Sequence, residues 1–132
     1  MLNAQGRIEA GCLAHARRKF DELFKANGSP VAAEAIGRIA LLYQIERDAR
    51  QMTTADRLAA RQQCSKPLWR QLHEWLALER ARVPDGSSIA GAIDYSLNRW
   101  HALGRFLLDG EVSVDNNSLE NLMRPWAMGR KA

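Results

Sequence analysis

Cysteine is nearly absent. Cys12 and Cys64 are the only two, too few and too distant for a disulfide framework, so a reducing compartment is the default and a small core side chain the expected role of each. No apolar run approaches the roughly 20 residues that cross a bilayer, and Met1–Ala10 lacks the apolar stretch of a signal peptide. These absences predict a cytoplasmic chain with no membrane partner. Cys12 and His15, with His73 and His101 elsewhere, invite a zinc reading, but a structural zinc site needs four ligands in two close pairs and no second Cys/His pair exists. A Cys–His nucleophile fails similarly, because no orienting third group can be named. The chain also lacks an internal repeat, a linker or a low-complexity tract.

What is present suits one globular domain. A chain of 132 residues with 46% apolar residues can bury a real core. Its formal charge of +4 permits nucleic-acid binding without establishing it. Ile8, Ala10 and Cys12 alternate with polar or small residues, which fits a short N-terminal strand over residues 1–13. Helical spacing then takes over. Ala16, Phe20, Leu23 and Phe24 predict a helix from Ala14 to about Ala26 with Asn27-Gly28 as its stop. Ser29-Pro30 opens a second helix whose stripe is Ala32, Ala35, Ile36, Ile39, Leu42 and Tyr43, ending near Gln51. Thr53 or Thr54 caps a third through Ala55 to Gln63, and Pro67 either kinks it or begins a new helix capped by Ser65. Leu68, Leu72, Trp75, Leu76 and Leu78 supply the next apolar surface, until Val83-Pro84-Asp85-Gly86 breaks it. Ser87 or Ser88 caps a helix carrying Ile89, Ala92, Ile93, Leu97, Trp100, Leu103 and Leu107, which Asp109-Gly110 closes. Val112 and Val114 suggest a brief extended connection. The fold class is therefore mainly α, a helical bundle over residues 14–108 with a strand before it.

The last stretch concentrates the chemistry. Asn117 can cap a helix, and Glu120 stands where a capping-box carboxylate reaches back to the cap. At about 100° per residue, Asn117, Glu120, Asn121 and Arg124 share one face, while Leu119, Leu122, Met123 and Trp126 line another. Arg124 lies one turn beyond Glu120 and can pair with it. Lys131 would return to nearly that face, although Pro125 and Gly129 interrupt the helix. The plain alternative makes Glu120 a capping acid and Arg124 its partner. Near the N-terminus, His15, Arg17, Arg18 and Lys19 form a cationic cluster, and guanidinium groups match phosphate oxygens through paired donors. Such a cluster is equally a solvated helix face balanced by Asp21 and Glu22.

Two blocks, Gly11-Cys12-Leu13-Ala14-His15-Ala16-Arg17-Arg18-Lys19-Phe20 and Asp115-Asn116-Asn117-Ser118-Leu119-Glu120-Asn121 through Arg124-Pro125 and Gly129-Arg130-Lys131, resemble the transposases of the insertion sequence 66 family. Between them, Arg80–Gly86 and Ala92–Phe106 are similar to the family's helical connecting region. The resemblance implies an RNase H-like catalytic domain in which two aspartates and a glutamate hold divalent metal for DNA strand cleavage and transfer. Hard cations such as Mg²⁺ prefer oxygen ligands, and two ions can stabilise attacking and leaving oxygens together. Glu120 matches the family's glutamate, which makes it the implied catalytic and metal-binding residue. Asp115, Asn116, Asn117 and Asn121 complete its motif. His15, Arg17, Arg18, Lys19, Arg124, Arg130 and Lys131 become the implied DNA contacts.

The pattern also departs from the family's. The strands bearing the two aspartates do not occur, and the family's aromatic continuation past Gly129-Arg130-Lys131 does not follow. The chain therefore reads as a partial domain, with the glutamate helix and basic tail in 115–132. One carboxylate cannot assemble a two-metal site, so no catalysis and no tight Mg²⁺ binding are expected from the chain alone. The expected partners are DNA, both element ends and target, and either another copy of the chain or a full-length transposase. Two other readings stand beside this one: a non-enzymatic helical interaction or DNA-binding module, and a decayed transposase remnant.

Overall fold

In the structure, a computed structural model, residues 12–115 are described. They are mainly helical. Helix α1 (Leu13–Asn27) ends where Gly28 enters the left-handed region at φ 66° and donates its N–H to Phe24 O, a conformation glycine adopts without a Cβ penalty. Helix α2 (Pro30–Asp48) starts at Ser29, whose Oγ accepts the Ala32 N–H at 3.1 Å, with Pro30 in the first turn where no donor is lost. Both boundaries agree with the sequence signals.

Thr53, rather than Thr54, caps α3 (Thr54–Ala60) through the Asp56 N–H. No fresh cap marks Pro67. The chain runs through a π-helical turn (Arg61–Ser65) directly into α4 (Lys66–Arg82), with the Lys66 N–H reaching back five residues to Arg61 O. Widening the helix there accommodates a proline that has no N–H of its own to offer. Ser65 is helical and fully buried, and it makes no capping bond.

Ser87 caps α5 (Ser88–Asn98) through the Ala90 N–H at 3.2 Å. The single long helix expected from Ile89 to Leu107 is broken instead. Arg99 leaves helical geometry at φ −113° and ψ 18°, and a short α6 (Trp100–Leu103) passes into a 3₁₀ segment (Gly104–Leu108). The bend wraps this segment over α4. Trp100 stacks on Trp69 with centroids 4.0 Å apart, and Phe106 meets Trp69 edge-on at 5.8 Å. Gly104 permits that approach, since a Cβ there would stand 2.9 Å from Trp69 Nε1.

The core collects Leu13, Ala16 and Phe20 from α1, Ile39 and Leu42 from α2, Trp69, Leu72 and Leu76 from α4, and Ile93 from α5. Two stripe residues fall outside it: Leu78 is 66% exposed and Phe24 45%. Leu78 lies about 200° around the helix from Leu76, and Phe24 sits in the last turn of α1. Cys64 is exposed and Cys12 half-buried, so neither is the core residue expected. Val112 and Val114 lie in turns, with the Val112 N–H closing onto Asp109 O at 3.1 Å. Among the described residues there is no strand, and no helix is long and apolar enough to cross a membrane. The strand expected before Cys12 and the glutamate helix expected after Asp115 lie outside the described residues.

Candidate functional site

Helix α1 begins badly by its own means. Cys12 at the cap position makes no side-chain capping bond, and the first turn carries no acid. A cationic cluster at a helix N-terminus also opposes the helix dipole. Asp115, about a hundred residues later, supplies what is missing. Its Oδ1 accepts the Ala14 N–H at 3.0 Å and the Tyr43 hydroxyl at 2.6 Å, while the Cys12 thiol donates to its backbone carbonyl at 3.1 Å. The first block therefore meets the first residue of the second. The chain enters the helical bundle and leaves it at one place, with Tyr43 of α2 as the pin between them. Burial, and then the bond to the Asp115 carboxylate, push the Tyr43 phenol far above its usual value near 10.

A second polar assembly fixes the turn that leads into Asp115. Arg61, only 2% exposed, forms a two-pronged ion pair with Glu46, at 3.0 Å from Nε and 2.7 Å from Nη2. Its Nη1 also donates to the carbonyls of Phe106, Asp109 and Val112, at 2.9, 3.0 and 2.8 Å. One turn earlier, Arg57 donates to the carbonyls of Ala49, Arg50, Met52 and Gly110. Gly110 must be glycine at this crossing, because a Cβ would lie 2.2 Å from Thr54 O. Arg57 and Arg61 thus tie the 49–52 loop and the 109–112 turn to one helical segment, and a buried arginine so placed satisfies carbonyls that would otherwise be orphaned. Sequence inspection missed both residues. They form no motif, and their partners are mostly backbone atoms distant in sequence.

Of the sequence-predicted contacts, His15, Arg17, Arg18 and Lys19 are all exposed on α1, but they diverge around it. Arg17 lies beside Tyr43 and Asp115, whereas Lys19 points to α5 with its Nζ 4.8 Å from the Tyr95 ring centroid. Asp115 is brought to α1 and Tyr43. Asn116, Asn117, Glu120, Asn121, Arg124, Arg130 and Lys131 lie outside the described residues. His73 and His101 are on the surface, with His73 tilted against Trp100 at 5.0 Å. Among the described residues no three His, Cys, Asp or Glu side chains come together as a metal site. Asp115 already accepts two hydrogen bonds at one oxygen, and Glu46 is committed to Arg61.

Comparison with known proteins gives this geometry a family. Two uncharacterized proteins of Sinorhizobium fredii, y4hP and y4jD, are 43% and 44% identical to the chain over 92% of its length. A third from the same organism, y4qI, is 38% identical. The chain spans about a quarter of the length of these relatives (24%, 24% and 23%). No solved structure matches it. The profile of the transposase IS66 family matches residues 1–132, and the chain belongs to that family.

Proposed function

We propose that the chain is the helical region and the glutamate-bearing end of a DDE transposase catalytic domain with an RNase H-like core, acting in the cleavage and transfer of DNA strands. The observation that carries this reading is the junction at Asp115. A helical region whose two ends are pinned together has the geometry of an excursion from a neighbouring domain: the segments before Cys12 and after Asp115 start from a common point. In this reading Glu120 is the metal-binding carboxylate contributed by the chain, with Asn116, Asn117 and Asn121 shaping its turn and helix. The proposed DNA contacts are His15, Arg17, Arg18, Lys19, Arg124, Arg130 and Lys131. Mg²⁺ held by Glu120 and two aspartates from elsewhere in the transposase would stabilise the attacking and leaving oxygens. In this reading the two-metal site needs the two aspartates as well as Glu120, so the chain by itself is expected neither to bind metal tightly nor to cleave DNA.

The test is divalent-metal-dependent nicking and strand transfer on a labelled element end. It compares the chain, its Glu120→Gln variant, and each of them mixed with a polypeptide carrying the two family aspartates. Activity in the wild-type mixture alone supports the reading. Equal activity with Glu120→Gln refutes the role of Glu120, and inactivity of every folded sample leaves the helical interaction module as the better account. That second reading has one observation in its favour, the exposed Leu41, Leu78 and Leu108. It predicts a dimer or larger assembly by light scattering.

A further inference from the structure

The turn at Asp115 forms one wall of a groove. Tyr43, Arg47 and Asp115 are common to two adjoining hollows, one of about 450 Å³ that continues past Arg50 and Arg57 and one of about 350 Å³ that continues past Arg17. The charges in it are unevenly committed. Glu46 is paired with Arg61 and Glu111 is engaged, while Asp115 is hydrogen-bonded to the neutral Tyr43 hydroxyl and Ala14 amide and keeps its charge; five arginines against these three carboxylates still leave the lining net positive. Arg17, Arg47 and Arg50 are exposed and have no carboxylate partner among the described residues, Arg47 donating only to the neutral Gln44 amide at 2.6 Å. Arg57 spends its donors on carbonyls, which leaves its charge uncancelled. Three helical elements thus turn guanidinium groups toward one cleft, an arrangement that a solvated helix face does not require.

We infer that this groove is a track for the DNA phosphodiester backbone, with Arg17 at one end, Arg47 in the middle and Arg50 at the other. This rests on the DNA-binding reading above and adds Arg47 and Arg50, which belong to neither sequence block. Guanidinium forks pair with phosphate oxygens through two donors, and the concave, partly apolar walls concentrate the field of the cluster. The track runs past Asp115, the first residue of the motif that carries Glu120.

The experiment is fluorescence anisotropy of the full chain with a labelled DNA duplex across a salt series. The variants are Arg47→Gln/Arg50→Gln and, as a control of equal charge change outside the groove, Arg70→Gln/Arg105→Gln. Far-ultraviolet circular dichroism verifies that each is folded, which is expected because all four side chains are exposed. Each phosphate contact removed lowers the slope of log affinity against log salt by about 0.9, equivalent to about a five-fold loss at roughly 0.15 M salt. The groove variant should therefore lose about 30-fold and about 1.8 of slope, and the control less than about three-fold. Equal losses in the two variants overturn the groove while leaving DNA binding intact. No binding by the wild-type chain at low salt overturns the DNA reading itself, and the groove with it.

Discussion

Replacing Arg61 with Met keeps much of the volume and removes the charge from a site that is 2% exposed. Glu46, its side chain 14% exposed, would lose both prongs of its ion pair, and the carbonyls of Phe106, Asp109 and Val112 would lose a shared donor. Breaking a buried pair from one side costs about 3–5 kcal/mol, because an uncompensated charge stays behind. That is a large part of the roughly 5–15 kcal/mol that separates folded from unfolded states in domains of this kind. It corresponds to a melting temperature lower by about 12–20 °C. Urea unfolding of wild type, Glu46→Gln, Arg61→Met and the double variant would measure it, and the double-mutant cycle should return a coupling of about 1–3 kcal/mol. A surface comparison is available in Lys25→Ala, which breaks the exposed pair with Asp21 and should cost less than about 0.5 kcal/mol. Arg61→Met costing no more than Lys25→Ala, or a cycle with no coupling, would refute the claim that Arg61 organises the turn before Asp115.

Three further outcomes follow from the same geometry. Tyr43→Phe removes the hydroxyl bond to Asp115 and should cost about 1 kcal/mol in denaturant unfolding at neutral pH. Because the folded state raises the Tyr43 pKa, its contribution is complete below about pH 10 and is lost as pH rises beyond it, where the unfolded chain deprotonates first. The alkaline fall in stability should accordingly be shallower in Tyr43→Phe, and identical curves would contradict the assignment. Gly110→Ala forces a Cβ to 2.2 Å from the Thr54 carbonyl oxygen and should cost about 1–3 kcal/mol, more than Gly104→Ala, whose Cβ meets the Trp69 indole at a less severe 2.9 Å. Asp115→Ala takes the acceptor from the start of α1 and should lower stability by about 1 kcal/mol, with loss of amide-exchange protection at Ala14.

Much of the helical layout was written locally. Gly28 supplies the left-handed stop of α1, Ser29-Pro30 starts α2, and Ser87 caps α5, each by chemistry confined to a few neighbouring residues. The departures arise where tertiary contacts decide. Nothing near Arg99 in sequence demands a break; the stack of Trp100 on Trp69 and the fit of Gly104 beneath it do. Pro67 is recognisable as a disturbance, but the π-helical turn before it, with the Lys66 N–H bonded to Arg61 O, carries no sequence signal of its own. Along α4, the buried set Trp69, Leu72 and Leu76 is the three-and-four stripe, and Leu78, apolar but two residues on from Leu76, faces away from it. At the candidate site, Asp115 stood out as part of a motif, yet its bonds to Ala14 and Tyr43 span 101 and 72 residues and leave no trace in local pattern. Arg57 and Arg61 were invisible for a similar reason, since a backbone carbonyl can belong to any residue.

The helical region begins and ends at one latch, where Asp115 holds the start of α1 and Tyr43. Double electron–electron resonance between nitroxides at His15→Cys and Ser113→Cys, both exposed and flanking the latch, measures it in a Cys12→Ser, Cys64→Ser background, where the serine hydroxyl keeps a donor for the Asp115 carbonyl. A short, narrow distance distribution that broadens and lengthens on Asp115→Ala is the predicted result. A long or broad distribution in the folded protein with Asp115 intact would contradict the account.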